Sequence, residues 1–226
     1  MEKVSEVAQA KPERGEDTRQ RLIDAAAELF GIHGFNGVTT RRLAECAAAN
    51  QAAITYYFGG KEGLYIAVAE HIVARITAQV MPVMAHLETL TAGPISKDLA
   101  MHLMRELLHR YAEVVVGSHE AQDWARFIIR EQTDPSPAFD VLFRGMSDGP
   151  LRLFTRLIGI LYGGDEADES IRLRAFTMIG QVLIFRTARA AVLKWMGWDD
   201  VGADELKAIQ DVIDDNLDVI IGAAER

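Results

Sequence analysis

The residues best suited to chemistry lie in two places. Glu106 and His109 have the i, i+3 spacing that carboxylate-bridged metal sites use in helical bundles. Such a site needs a second Glu-x-x-His and two further inward glutamates, and the chain has no second Glu-x-x-His. No phosphate-binding glycine loop, nucleophile elbow or dinucleotide fingerprint is present. The single cysteine, Cys46, forms no internal disulfide, and no Cys/His cluster has zinc spacing. Cys46 occupies an apolar helix position near Arg41 and Arg42, which favours packing over a redox role. Neither metal nor cofactor is expected.

The second place is Gln51-Ala-Ala-Ile-Thr-Tyr-Tyr-Phe58, followed by Gly-Gly-Lys61. A glutamine amide bonds adenine in two places, and alanine or a threonine methyl touches the thymine methyl. Gln51, Ala52 and Thr55 therefore suit base edges in a major groove. The hydroxyls of Tyr56 and Tyr57 suit phosphate oxygens. Lys61 adds a cation to the unpaired N–H groups at a helix start. Arg41 and Arg42 serve either phosphate contact or a solvated face.

Short helices must position these groups. Asp17 or Thr18 caps a first helix through Leu22, Ile23, Ala26, Leu29 and Phe30, ended by Gly31 and Gly34. Thr39 caps a second through Leu43 and Cys46, and Gln51–Tyr57 forms a third. Ile54 and Phe58, four apart, should face inward. Three helices in about forty residues, the last two very short, form a helix-turn-helix unit. A second helix layer begins near Lys61 and ends or kinks at Pro82. Further helices run from Ser96 to Val116, from about His119 to Gln132, and from Ala138 to Tyr162 with a break near Gly149. The last two span about Asp168–Trp195 and Asp204–Ala224. No strand-like alternation of useful length appears, so the fold class is all-α.

The segment TRQRLIDAAAELFGIHGFNGVTTRRLAECAAANQAAITYYFGGKEGL, residues 18–64, resembles the DNA-binding domain of the TetR family. The resemblance rests on AAxxLFxxxGF, the G-V-T-T start of helix 2 and I-T-Y-Y-F-G-G-K-E-x-L. AAANQAAITYYF, and Ile129-Arg-Glu-Gln132 with Pro135-Ser-Pro-Ala-Phe139, resemble its CecR branch. This implies a regulator, most simply a repressor, with Thr39, Thr40, Tyr56, Tyr57 and Lys61 at positions that touch DNA backbone. Gln51, Ala52 and Thr55 match base-facing positions. Where the family usually has Gly in the turn this chain has Ala48, which is strained if its φ is positive.

The expected division is a flexible leader over 1–16, a DNA-binding domain over 17–62 and an effector-binding and dimerisation domain over 63–226. A mostly apolar cavity for a small effector has candidate lining residues Met104, Leu108, Tyr111, Trp124, Phe127, Ile128, Gln132, Phe185 and Arg189. His109, Arg126, Arg130 and Arg186 lie in largely apolar helices and need partners, with Glu131 one possible acceptor and an anionic ligand another. A homodimer seam is expected on the last two helices, where Phe176, Leu183 and Ile184 flank small residues and Val212, Leu217 and Ile220 follow. The partners are thus double-stranded operator DNA, a second copy of the chain and a small molecule.

The net charge of −9 looks wrong for DNA, but residues 1–62 are near neutral, with 8 Lys and Arg against 9 Asp and Glu. Nearly all the excess acid lies in 63–226, where it repels DNA and limits non-specific binding. The polar start MEKVSEVAQAKPERGED lacks the apolar core of a secretory signal. No uncharged run approaches the roughly 20 residues of a membrane span. A cytoplasmic protein with no membrane partner is expected.

Overall fold

The computed structural model describes residues 10–90, 93–118 and 120–224. Its helices are α1 (Ala10–His33), α2 (Thr40–Cys46), α3 (Gln51–Phe58), α4 (Lys61–Leu90), α5 (Lys97–Ala112), α6 (Glu120–Thr133), α7 (Pro137–Met146), α8 (Arg152–Tyr162), α9 (Glu169–Thr187), α10 (Arg189–Met196) and α11 (Ala203–Ala224). Single π-helical turns follow α5 (Glu113–Gly117) and α7 (Ser147–Leu151). There is no strand among the described residues.

Two compact units result. The head comprises the chain up to Ile72 together with Asp123–Leu142, and the body comprises Val73–Gln122 and Phe143–Arg226. This differs from a boundary at residue 62: the division falls inside α4, and most of α6 and α7 belongs with the helix-turn-helix. Residues 10–16 of the expected leader are helical. The chain is helical from Ala10, and residues 1–9 lie outside the described residues.

In the head, Leu22, Ile23, Ala26 and Phe30 of α1, Leu43 of α2, Ile54 of α3 and Leu64 and Val68 of α4 are buried. The joint between α3 and α4 depends on Gly63, because a Cβ there would lie 1.8 Å from the Phe58 carbonyl oxygen. In the body, α5, α8, α9 and α11 pack together. Leu103, Met104, Leu107 and Leu108 of α5, Phe154 and Ile158 of α8, Val182 of α9 and Ile213 and Leu217 of α11 are buried. On the partly exposed α5–α11 side, Arg105 pairs with Asp218, and His109 Nε2 lies 3.0 Å from Asp214 Oδ1.

Several expectations are corrected. α4 continues through Pro82. Pro82 and Ala78 are both exposed, so the carbonyl four residues back that loses its N–H partner is open to water. Residues Lys61–Leu87 are also long and apolar enough to cross a membrane by length and composition. Within them Leu64, Val68, Ile72, Val80, Met84 and Leu87 are buried. The expected helix Asp168–Trp195 breaks at Ala188, where the axis turns by 74°. Arg186, just before the break, is buried and donates to the carbonyls of Val115 (2.6 Å) and Ser118 (3.0 Å). Burial, and then the charge of Arg189, lower its pKa to about 10.

Ala48 has φ 47°, a left-handed conformation that costs an L-residue free energy and glycine nothing. Ala48→Gly is therefore expected to raise stability by about 0.5–1 kcal/mol, read as an increased denaturation midpoint at unchanged m value. A lower midpoint would show that the Ala48 side chain contributes more than the strain costs.

Candidate nucleic-acid interface

The short helices α2 and α3 are held at their ends. Thr39 caps α2, its hydroxyl oxygen accepting from the Arg42 N–H at 3.2 Å. Asn50 caps α3 by accepting from the Ala52 N–H at 2.9 Å. At the other end Gly59, with φ 74°, donates its N–H to the Thr55 carbonyl at 3.0 Å. Between the helices the Ala49 N–H reaches the Ala44 carbonyl at 2.9 Å, closing the turn in which Ala48 is strained.

With Ile54 buried, the opposite face of α3 presents Gln51, Ala52, Thr55 and Tyr56 to solvent. Tyr56 is 82% exposed. Gln51 Nε2 donates to Thr40 Oγ1 at 2.8 Å, so the amide is already held across the α2–α3 angle. Both threonine oxygens act as acceptors, Thr39 to α2 and Thr40 to Gln51. Each keeps its O–H as a donor.

Three residues are placed differently from what their types alone suggest. Arg41 donates from Nε to Glu45 at 2.8 Å along exposed α2, a bond that raises the Arg41 pKa further. Tyr57 is half-buried, its ring 4.9 Å from that of Tyr56 and its hydroxyl against Gly15 of α1. Lys61 Nζ lies 4.2 Å from the centre of the Phe35 ring. Phe35 thus seats the ammonium, a role signalled only by its place in the Gly34–Gly37 turn. Arg42 is near His33, its Nη2 3.0 Å from the ring Nε2. Because a guanidinium only donates, the imidazole nitrogen must accept. Cys46, expected to pack, is exposed.

The nine candidate effector residues are divided between the two units. Trp124, Phe127, Ile128 and Gln132 belong to the head. There Phe127 packs on Tyr65 at 4.7 Å between ring centres, and Gln132 is exposed. Met104, Leu108, Tyr111, Phe185 and Arg189 belong to the body. Met104 and Leu108 are wholly buried, and burial pushes the Tyr111 hydroxyl pKa up. Arg189 pairs with Asp200, and its buried Nη1 has no hydrogen-bond partner among the described residues. Two open clefts of the body, of about 840 and 290 Å³, are lined by other residues, both including Arg152 and Glu166. Glu131, considered above as an arginine's partner, instead bonds Tyr65 and Ser136.

Comparison with known proteins places this geometry. Residues 22–68 match the profile of bacterial regulatory proteins of the tetR family, and residues 100–224 match the C-terminal domain of the HTH-type transcriptional dual regulator CecR. CecR of Shigella flexneri is 33% identical over 217 residues, covering 94% of this chain and 96% of that protein. The chain belongs to the TetR family, in its CecR branch. Two solved TetR-like folds agree. The hemolysin II regulator HlyIIR superposes with TM-score 0.58 at 18% identity, covering 88% of this chain and 97% of that one. FadR from Bacillus subtilis, solved in complex with stearoyl-CoA, superposes with TM-score 0.54 at 17% identity, covering 88% and 96%.

This TetR-family chain is therefore a DNA-binding transcriptional regulator and not an enzyme. The Glu106–His109 pair has its imidazole on Asp214. Among the described residues, no group of three or more His, Cys, Asp or Glu side chains is arranged to hold a metal ion.

Two substitutions separate backbone contact from base reading. Lys61→Ala should weaken binding to all DNA sequences and reduce the salt slope by about one unit. Gln51→Ala should relax preference at one base pair, at about 1–3 kcal/mol, with the slope unchanged. An unaltered preferred site after Gln51→Ala would remove Gln51 from the reading face.

Proposed function

We propose that the protein is a cytoplasmic homodimeric repressor that leaves a palindromic operator when a small molecule binds the body. The observation that carries the DNA half is the solvent-facing set Gln51, Ala52, Thr55 and Tyr56 on a helix capped at both ends. Gln51, Ala52 and Thr55 meet base edges. Thr39, Thr40, Arg41, Tyr56, Tyr57 and Lys61 meet the backbone, Arg41 and Tyr57 after leaving their present contacts.

Dimerisation is supported by apolar side chains that the body does not cover. Leu173 (60% exposed), Phe176 (56%) and Ile184 line the outer side of α9, and Gly180 between them has open space where a Cβ would stand. On α11 the apolar residues divide. Ile209, Ile213, Leu217 and Ile221 are buried within the chain, while Val212, Val219 and Ile220 are exposed. A second copy packed on these faces forms a four-helix seam and sets the two heads a helical turn of DNA apart, roughly 34–36 Å, or a multiple of it.

For the effector, the reading rests on Met104, Leu108, Tyr111, Phe185 and Arg189 of the body. Met104 and Leu108 are buried, and the buried Nη1 of Arg189 lacks an acceptor among the described residues. Trp124, Phe127, Ile128 and Gln132, also candidates for the lining, lie in the head unit. That FadR was solved with stearoyl-CoA supports a small-molecule site in a body of this kind. The ligand favours a state with poorer head spacing and lowers operator affinity by population shift.

Selection of bound duplexes from a random pool by the purified protein is the direct test, and it should return a palindrome. Enrichment of no sequence by folded protein at several salt concentrations would refute the proposal. Phe176→Asp with Ile184→Asp should yield monomers in sedimentation and lose the palindrome while α-helical content is kept. A dimer surviving both substitutions would move the seam elsewhere.

A further inference from the structure

Glu131 is 1% exposed, and the head satisfies it completely. Tyr65 of α4 donates its hydroxyl to Oε1 at 2.5 Å. Ser136 donates its N–H and its hydroxyl to Oε2, at 3.0 and 2.8 Å. The same Ser136 oxygen accepts from the Ala138 N–H at 3.1 Å, capping α7. One carboxylate therefore ties the end of α6 and the start of α7 to the first turns of α4. A buried carboxylate with three donors is strongly held, and losing one donor leaves an acceptor partly unpaired. Burial first, and then the bond to Glu131, push the Tyr65 pKa up, which keeps the phenol protonated as the donor.

The contacts continue from Tyr65 towards DNA-facing groups. Its ring meets Phe30 at 4.8 Å and Phe35 at 5.2 Å, both edge-on, and the Phe35 ring is the seat of Lys61. Tyr65 is four residues after Lys61, hence on the same side of α4. Next to Glu131, Arg130 reaches back to the end of α1 and the turn that follows, its Nη2 lying 3.4 Å from the Ile32 carbonyl. At Gly34 of that turn a Cβ would stand 2.8 Å from Arg130 Nη1.

We propose that Glu131, Tyr65 and Ser136 are positioning residues for operator binding, which act through Phe35 by fixing the place of Lys61 although none of them touches DNA. The α6–α7 turn is on this view a working part of the DNA-binding unit. The contact chain Ser136, Glu131, Tyr65, Phe35, Lys61 is contiguous, which makes the coupling testable pair by pair. The proposal rests on the DNA-binding reading above, with Lys61 at the backbone.

The experiment compares full-length Tyr65→Phe, Lys61→Ala and the double variant on the duplex that the wild-type protein selects. Tyr65→Phe keeps the ring and removes only the donor. It should raise Kd about tenfold in the wild-type background and less than twofold in the Lys61→Ala background. Equal losses in both backgrounds, or none in either, overturn the proposal, because a general loss of fold stability would not depend on Lys61. Glu131→Gln, which cannot accept from both Tyr65 and Ser136 as the carboxylate does, repeats the comparison if Tyr65→Phe fails to fold. Amide hydrogen exchange gives a readout independent of DNA. Residues 31–37 should exchange about tenfold faster in Tyr65→Phe, with α8 and α11 unchanged. Unchanged exchange at 31–37 also overturns the proposal. If the wild-type protein selects no duplex, the DNA-binding reading fails, while the exchange comparison still decides whether the α6–α7 turn holds this part of the head.

Discussion

An eight-residue helix closes too few internal hydrogen bonds to persist alone in water, yet α3 is that short and carries the face proposed to read DNA. It is held by what surrounds it. Ile54 is its single fully buried anchor, Asn50 and Gly59 satisfy its ends, and the strained turn at Ala48 sets its angle to α2. Only a firm platform of α1 and α4 makes such a helix usable. The aromatic group of Phe30, Phe35, Tyr65 and Phe127 supplies much of that platform.

Two of those four rings come from distant parts of the chain. Phe127 belongs to α6, more than sixty residues after Tyr65, and the hydrogen bond from Tyr65 to Glu131 spans 66 residues. The head is thus closed by a segment that arrives after α5 has been built into the body. The chain leaves the body unit at Gln122, and eight residues further on Arg130 contacts the last turn of α1.

How much of this was legible followed from the range of the interactions. The helix-turn-helix could be read because its signals are local: a cap at Thr39, the double glycine before Lys61 and apolar residues at helical spacing. The all-helical class and the strain at Ala48 were readable for the same reason. What was missed depends on groups far apart in sequence. Nothing near Glu131 says that its partner is Tyr65 rather than an arginine. No glycine or proline marks the break at Ala188. Pro82 is a true breaker signal, defeated because its orphaned carbonyl faces water. Apolar type at helical spacing, which marks the effector candidates, is a property that cavity linings share with ordinary cores.

The contact between Gln51 and Thr40 bears on how selective such a head can be. The amide side chain is already hydrogen-bonded to Thr40 in the free protein, which lowers the ordering entropy left to lose at encounter. A base that accepts and donates in the right places exchanges one hydrogen bond for another at little cost. On the proposed reading, a wrong base leaves the free oxygen and the second N–H of the Gln51 amide without compensation. Discrimination then comes from penalising mismatched partners more than from adding affinity to the matched one.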